Sequence, residues 1–203
     1  MAGKIPSASI SGDSVFKGHP VYGRLYLPAS ALALDPTAAP AFEVLLTGAY
    51  AAAFTGTTTT TEEVVHGSFQ VPNDFKADSL YTPEIRLIWS HSEASPTGNV
   101  RWEVDITAAR SDSKEIFPAI VQTTSVQDTG VQYDCTRTVE GDHPVTNVLE
   151  PGAVIIFRIE RDADHASDTF EADASLIGVE FIYEMGQIGI REKNRPFSLG
   201  FAA

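Results

Sequence analysis

The densest gathering of groups that could do chemistry is the run Asp162, Asp164, His165, Asp168, Glu171 and Asp173. Calcium takes roughly six to eight oxygen ligands, and a carboxylate-rich loop between two strands could supply several of them. Asp162, Asp164, Asp168 and Asp173 are the candidate set. The spacing departs from the EF-hand pattern, because no glycine sits at the sharp turn and no glutamate closes the loop. The same aspartates suit a solvated crossover in which they bond nearby backbone amides and shape the turn, and that reading is preferred to a metal.

A second constellation pairs Gly12, Asp13 and Ser14 with Asp162 to His165. Gly-Asp-Ser near the start and Asp-x-x-His near the end resemble the nucleophile and acid–base pair of one family of serine esterases. Those enzymes place the serine after a buried strand of a helix-wrapped parallel sheet. Ser14 lies instead in a proline-broken stretch with no helices to build the layers, so no catalytic residue is assigned. The histidines at 19, 66, 91, 143 and 165 are scattered, with no pair at local metal-binding spacing, and surface or turn positions are expected for most. Cys135 falls on the apolar side of an alternating segment with Tyr133, which predicts a buried, inert thiol. Trp89 and Trp102 could stack on sugars, but their in-phase neighbours are aliphatic, so core positions are expected. Nothing in the pattern calls for a cofactor.

Bulk composition narrows the function classes. Lys+Arg 14 against Asp+Glu 27 gives a formal net charge of −13, which repels nucleic-acid backbones and anionic membranes. The start has no apolar run of signal-peptide length, and Val44 to Phe54 is too short and interrupted to span a bilayer, so a soluble protein is expected. One cysteine excludes an internal disulfide framework.

The elements that must position these residues are strands. In Glu84 to Ala109, Ile85, Leu87 and Trp89, then Val100, Trp102, Val104 and Ile106, alternate with polar residues, as half-buried strands do. The two arms are expected to pair as a hairpin around a polar loop. Further strands are predicted around Val65 to Val71, 115–124, 131–139, Ala153 to Arg161 and Ala174 to Glu184, the last with Ile177, Val179, Phe181 and Tyr183 inward. Residues 42–61 fit either a strand pair or a short alanine-rich helix, and the threonines at 57–61 favour extended structure.

Seven or eight strands without a long helix make the fold class all-β, an antiparallel two-sheet sandwich of jelly-roll type with extended N- and C-terminal arms. The domain reading is an arm at 1–41, the sandwich at 42–184 and a second arm at 185–203. Prolines 6, 20, 28, 36 and 40 predict that the first arm runs extended over a surface, its own or a neighbour's. Its apolar residues Val21, Tyr22, Leu25, Tyr26, Leu32 and Leu34 are candidate partner contacts. Ile188, Ile190, Phe197, Leu199 and Phe201 are candidates in the second arm.

Three stretches carry a resemblance: Leu27 to Leu32 (LPASAL), Phe69 to Phe75 (FQVPNDF) with the strands that follow it, and Arg158 to Glu184. Together they resemble small virion structural proteins of tailed bacteriophages, which serve as capsid decoration or cement proteins and as tail-fibre modules. The resemblance implies a trimeric, non-enzymatic virion protein. It leaves the station on the particle open. The proline-rich apolar arms and the acidic charge favour a capsid decoration or cement protein, with copies of itself and the major capsid protein as partners and the outer surface of the capsid as its place. The alternative is a receptor- or carbohydrate-binding module of a tail fibre or tail tip, using loops such as Ser90 to Gly98.

Overall fold

The computed structural model describes residues 20–46, 49–56, 62–110, 115–147 and 149–186. These form two antiparallel sheets packed face to face, the sandwich the alternating segments predict. The strands are β1 (Tyr22–Pro28), β2 (Ala33–Leu34), β3 (Ala41–Leu46), β4 (Ala49–Phe54), β5 (Val64–Gln70), β6 (Glu84–Ser90), β7 (Asn99–Ala109), β8 (Val121–Asp128), β9 (Thr136–Arg137), β10 (Val154–Arg161) and β11 (Ala174–Glu184). One sheet runs β3-β4-β11-β6-β9, and the other β2-β5-β10-β7-β8. β1 joins the first sheet by pairing with β11 from Gly178 to Glu184, while β4 pairs with β11 at Ala174 to Leu176.

The core lies between the sheets and is aromatic along its length. Trp89 and Trp102 are fully buried, their rings meeting edge-on at 6.0 Å, and Phe54 meets Trp102 at 5.2 Å. Farther along, Phe69 stacks on Phe157 at 5.3 Å and on Phe181 at 5.9 Å. Such pairs add about 0.5–1.5 kcal/mol each beyond the area they bury.

The Trp89–Trp102 contact corrects the expected hairpin. β6 pairs with β11 and β9, whereas β7 pairs with β10 and β8, so the two tryptophan strands belong to opposite sheets. Residues 91–98 arch between the sheets, ending at Gly98 with φ 110°, a backbone region that favours glycine. Period-two alternation marks a buried face but does not say which sheet the face belongs to.

Other boundaries also move. Of the two readings of residues 42–61, the strand pair is the one seen: β3 and β4 pair antiparallel. The strand expected at 115–124 begins only at Val121, past Pro118. The segment 131–139 is mostly a turn: Tyr133 has φ 63° and Asp134 N donates to Val131 O at 3.0 Å, which breaks the alternation. Cys135 is accordingly exposed, not buried. A bulge between Leu176 and Gly178 puts Leu176 in the core and leaves Ile177 half-buried.

The described part of the expected N-terminal arm is built into the sandwich. All seven residues of β1 pair with β11, β2 pairs with β5, and Ala29 and Leu32 sit in the core. The prolines fit because Pro28 closes an edge strand and Pro36 lies in the bend after β2.

Candidate contact surfaces and the acidic loop

The acidic loop between β10 and β11 is organised by a cation. Arg161, only 2% exposed, spends all five of its N–H donors. Nε and Nη2 reach the two oxygens of Asp168 at 2.9 and 2.8 Å. Nη1 donates to Ala172 O at 2.7 Å and Phe54 O at 3.3 Å, and Nη2 also donates to Phe170 O. The guanidinium lies 5.5 Å from the centre of the Phe170 ring. Asp168 in addition accepts from Arg101 N at 2.9 Å. A fork-on-fork pair of this kind is the strong form of a charged hydrogen bond, and it ties the loop to both sheets.

The candidate calcium set is therefore not assembled. Asp168 faces Arg161, and Asp173 accepts from Gly56 N at 3.4 Å. Asp162 pairs with Arg101. Asp162 and Asp164 do come together, but with Glu62, their oxygens within 4.8 Å of one another. Beside them a recess lined by Phe54, Glu62, Glu63, Arg161 and Asp164 has room for about one water molecule. His165 accepts from Ser167 N at 3.1 Å at the exposed tip. Ser14, its partner in the esterase-like reading, lies outside the described residues.

Next to this loop, the outer face of the second sheet carries a ladder of charge. Arg158 pairs with Asp105 at 3.1 Å and with Glu160. Glu160 stands opposite Glu103 across β10 and β7. Burial, with the Glu103 carboxylate beside it, pushes the Glu160 carboxyl well above the usual carboxylate range.

Two histidines expected at the surface are fully buried. His143 ties the β8 edge to the segment leading to β10: Nδ1 meets Thr123 Oγ1 and Nε2 meets Ser125 Oγ, both at 2.9 Å. Burial lowers its pKa to about 4. His91 Nε2 meets Thr129 O at 2.9 Å and anchors the arch. Neither histidine stands at a surface where a substrate could reach it.

Of the candidate partner contacts, Val21, Tyr22, Tyr26 and Leu34 are exposed, at 36%, 46%, 52% and 39%. Leu25 packs partly against the core, and Leu32, 6% exposed, belongs to it and has no surface to offer. Ile188, Ile190, Phe197, Leu199 and Phe201 lie outside the described residues.

Sequence reasoning missed the β3–β4 hairpin as a contact surface. Val44 is opposite Tyr50, and Phe42 is opposite Ala52, so all three large side chains share one face. They are 40% (Phe42), 55% (Val44) and 64% (Tyr50) exposed, while Ala52 on the same face is in the core. The hairpin thus overhangs the opposing sheet, whose edge strand β2 is only two residues long. The available signal was the alternation of Phe42 and Val44 on a strand whose face no other segment was predicted to cover.

No family model matches the chain. No curated protein matches it either. Among solved structures, it is similar to the N-terminal endo-1,4-β-D-xylanase 10B of Clostridium thermocellum, a structure of CBM22-1 and GH10 modules complexed with xylohexaose. Identity is 13%, with 85% of this chain and 29% of that chain covered, at a TM-score of 0.31. The chain spans less than a third of that chain's length, and so loose a likeness carries no argument about function.

Proposed function

We propose that this protein is a non-enzymatic structural component of a phage virion, a capsid decoration or cement protein that oligomerises and bridges neighbouring capsid subunits. The observation that carries the assembly role is the overhanging face of Phe42, Val44 and Tyr50, which stays exposed although it continues a core. A contiguous apolar patch of this kind marks an interaction site, and a neighbouring subunit would complete the layer that β2 leaves short. Val21 and Leu34 add exposed apolar surface elsewhere.

A packed interior and an acidic surface support the same reading. Net charge of −13 suits the outside of a shell, away from packaged DNA. The virion assignment itself rests on the resemblance of Leu27 to Leu32, Phe69 to Phe75 and Arg158 to Glu184.

The test is attachment to shells. Serine at Phe42, Val44 and Tyr50 together should leave the melting curve close to that of wild type diluted to the monomer, because all three are exposed in the single chain, and should abolish retention on purified capsids. Wild-type protein should be present in hundreds of copies per particle. Full retention of the triple variant, or only a few copies per particle, would overturn the proposal. Deleting residues 1–41 is not a usable test, since it removes β1, β2 and two core residues.

A further inference from the structure

On β1, Gly23, Leu25 and Leu27 stand opposite Tyr183, Phe181 and Val179 on the core side. Tyr22, Arg24 and Tyr26 therefore form one row on the outer face of the sheet. The Tyr26 ring is seated across Gly178: a Cβ built there would lie 2.5 Å from Cε2 and 2.6 Å from the hydroxyl oxygen. Its hydroxyl donates to Ile177 O at 3.3 Å, and half of the residue remains open to solvent. Tyr22 is held edge-on against Tyr81 at 4.8 Å. Arg24 is exposed and makes no salt bridge among the described residues. Opposite Tyr26 stands Glu180, gripped by Arg137 through Nε at 3.1 Å and Nη2 at 3.2 Å.

We propose that this row, Tyr22, Arg24 and Tyr26 with Arg137 alongside, binds a saccharide chain. A sugar ring offers an apolar face of C–H groups and a rim of hydroxyls. The electron-rich face of a tyrosine suits the first, and the fixed donors of arginine suit the second. The two rings are four strand residues apart, about 13 Å, so they would contact separate sugars of one chain. Their support against Gly178 and Tyr81 means that little side-chain freedom is lost on binding. A protein partner fits less well, because the exposed Arg24 and Arg137 interrupt any continuous apolar surface there. The row is separate from the overhanging hairpin, since β1 and β4 pair with opposite ends of β11, and the proposal stands independently of the assembly role.

The test is a glycan array on the full chain, followed by calorimetric titration of the hits. Neutral and uronate-bearing glycans show whether Arg24 meets hydroxyls or a carboxylate. Saturable binding is expected, weakened roughly tenfold or more by Tyr26→Ala or Arg24→Ala, the size of loss that truncating an anchor residue brings. Gly178→Ala should weaken it likewise while keeping the tyrosine, because the new methyl lifts the ring from its seat. Tyr50→Ala, at least as exposed, should change nothing. No binding to any saccharide overturns the proposal, as does an equal loss in the Tyr50 variant. Loss of capsid attachment by Tyr26→Ala without any saccharide binding would assign the row to a protein contact instead.

Discussion

Asp168→Ala removes the carboxylate that holds Arg161 and leaves a guanidinium 2% exposed with two of its donors unmet. Breaking a buried pair from one side costs about 3–5 kcal/mol, because the remaining charge stays buried without compensation. The bond from Arg101 N adds roughly 1 kcal/mol more. Against a typical net stability of about 5–15 kcal/mol, this is a large fraction. With a urea slope near the upper end of about 1–3 kcal/mol per molar, the unfolding midpoint should fall by roughly 1.5 M. Trp89 and Trp102, both buried, supply the fluorescence signal. Adding Arg161→Met to Asp168→Ala should recover much of the loss, since an apolar replacement of a buried pair is often close to neutral. A loss under about 1 kcal/mol, the level of an exposed pair, would refute the reasoning. So would a wild-type midpoint that rises with calcium and loses that response in Asp168→Ala, which would make Asp168 a ligand.

Three further outcomes follow from the same geometry. His143 has its folded pKa lowered from 6.5 to about 4, so its contribution is present above pH 6.5 and is lost as pH falls towards 4; this is worth on the order of 3 kcal/mol. Urea midpoints should drop across that window in the wild type and much less in His143→Gln, and parallel profiles would refute the assignment. Glu160 is shifted the other way, so its share of stability is present below the ordinary carboxylate pKa and is lost as pH rises through the raised one. Glu160→Gln should therefore raise the melting temperature at alkaline pH relative to wild type and do less near pH 5, and the reverse order would count against the Glu103–Glu160 pairing. At concentrations where the wild type is monomeric, thermal melts of the Phe42, Val44 and Tyr50 serine variants should each stay within about 0.5 kcal/mol of it, as exposed positions do, and a collapse would place these side chains in the core.

How much of this was legible in the residues differs from element to element. β7 announced itself, because Val100, Trp102, Val104 and Ile106 alternate without interruption and all four are buried. Its partner strands could not be read, since alternation is a property of one strand and pairing is a property of two. Tyr133 and Cys135 imitated a strand through a left-handed turn that only the backbone shows. Asp168 is visible as an acid and Arg161 as the end of a strand, which it is, but nothing in the sequence says that this arginine will be buried against that aspartate. The exposed hairpin was hidden for a related reason. Phe42 and Val44 look like core residues, and their exposure depends on how far the opposite sheet extends.

Sedimentation of the full chain over a concentration series, with the wild type beside the serine triple variant at Phe42, Val44 and Tyr50, tests the central claim most directly. The account predicts that the wild type self-associates into a discrete oligomer, a trimer, and that the variant runs as a folded monomer. A wild type that stays monomeric at every concentration and binds no capsid would contradict it.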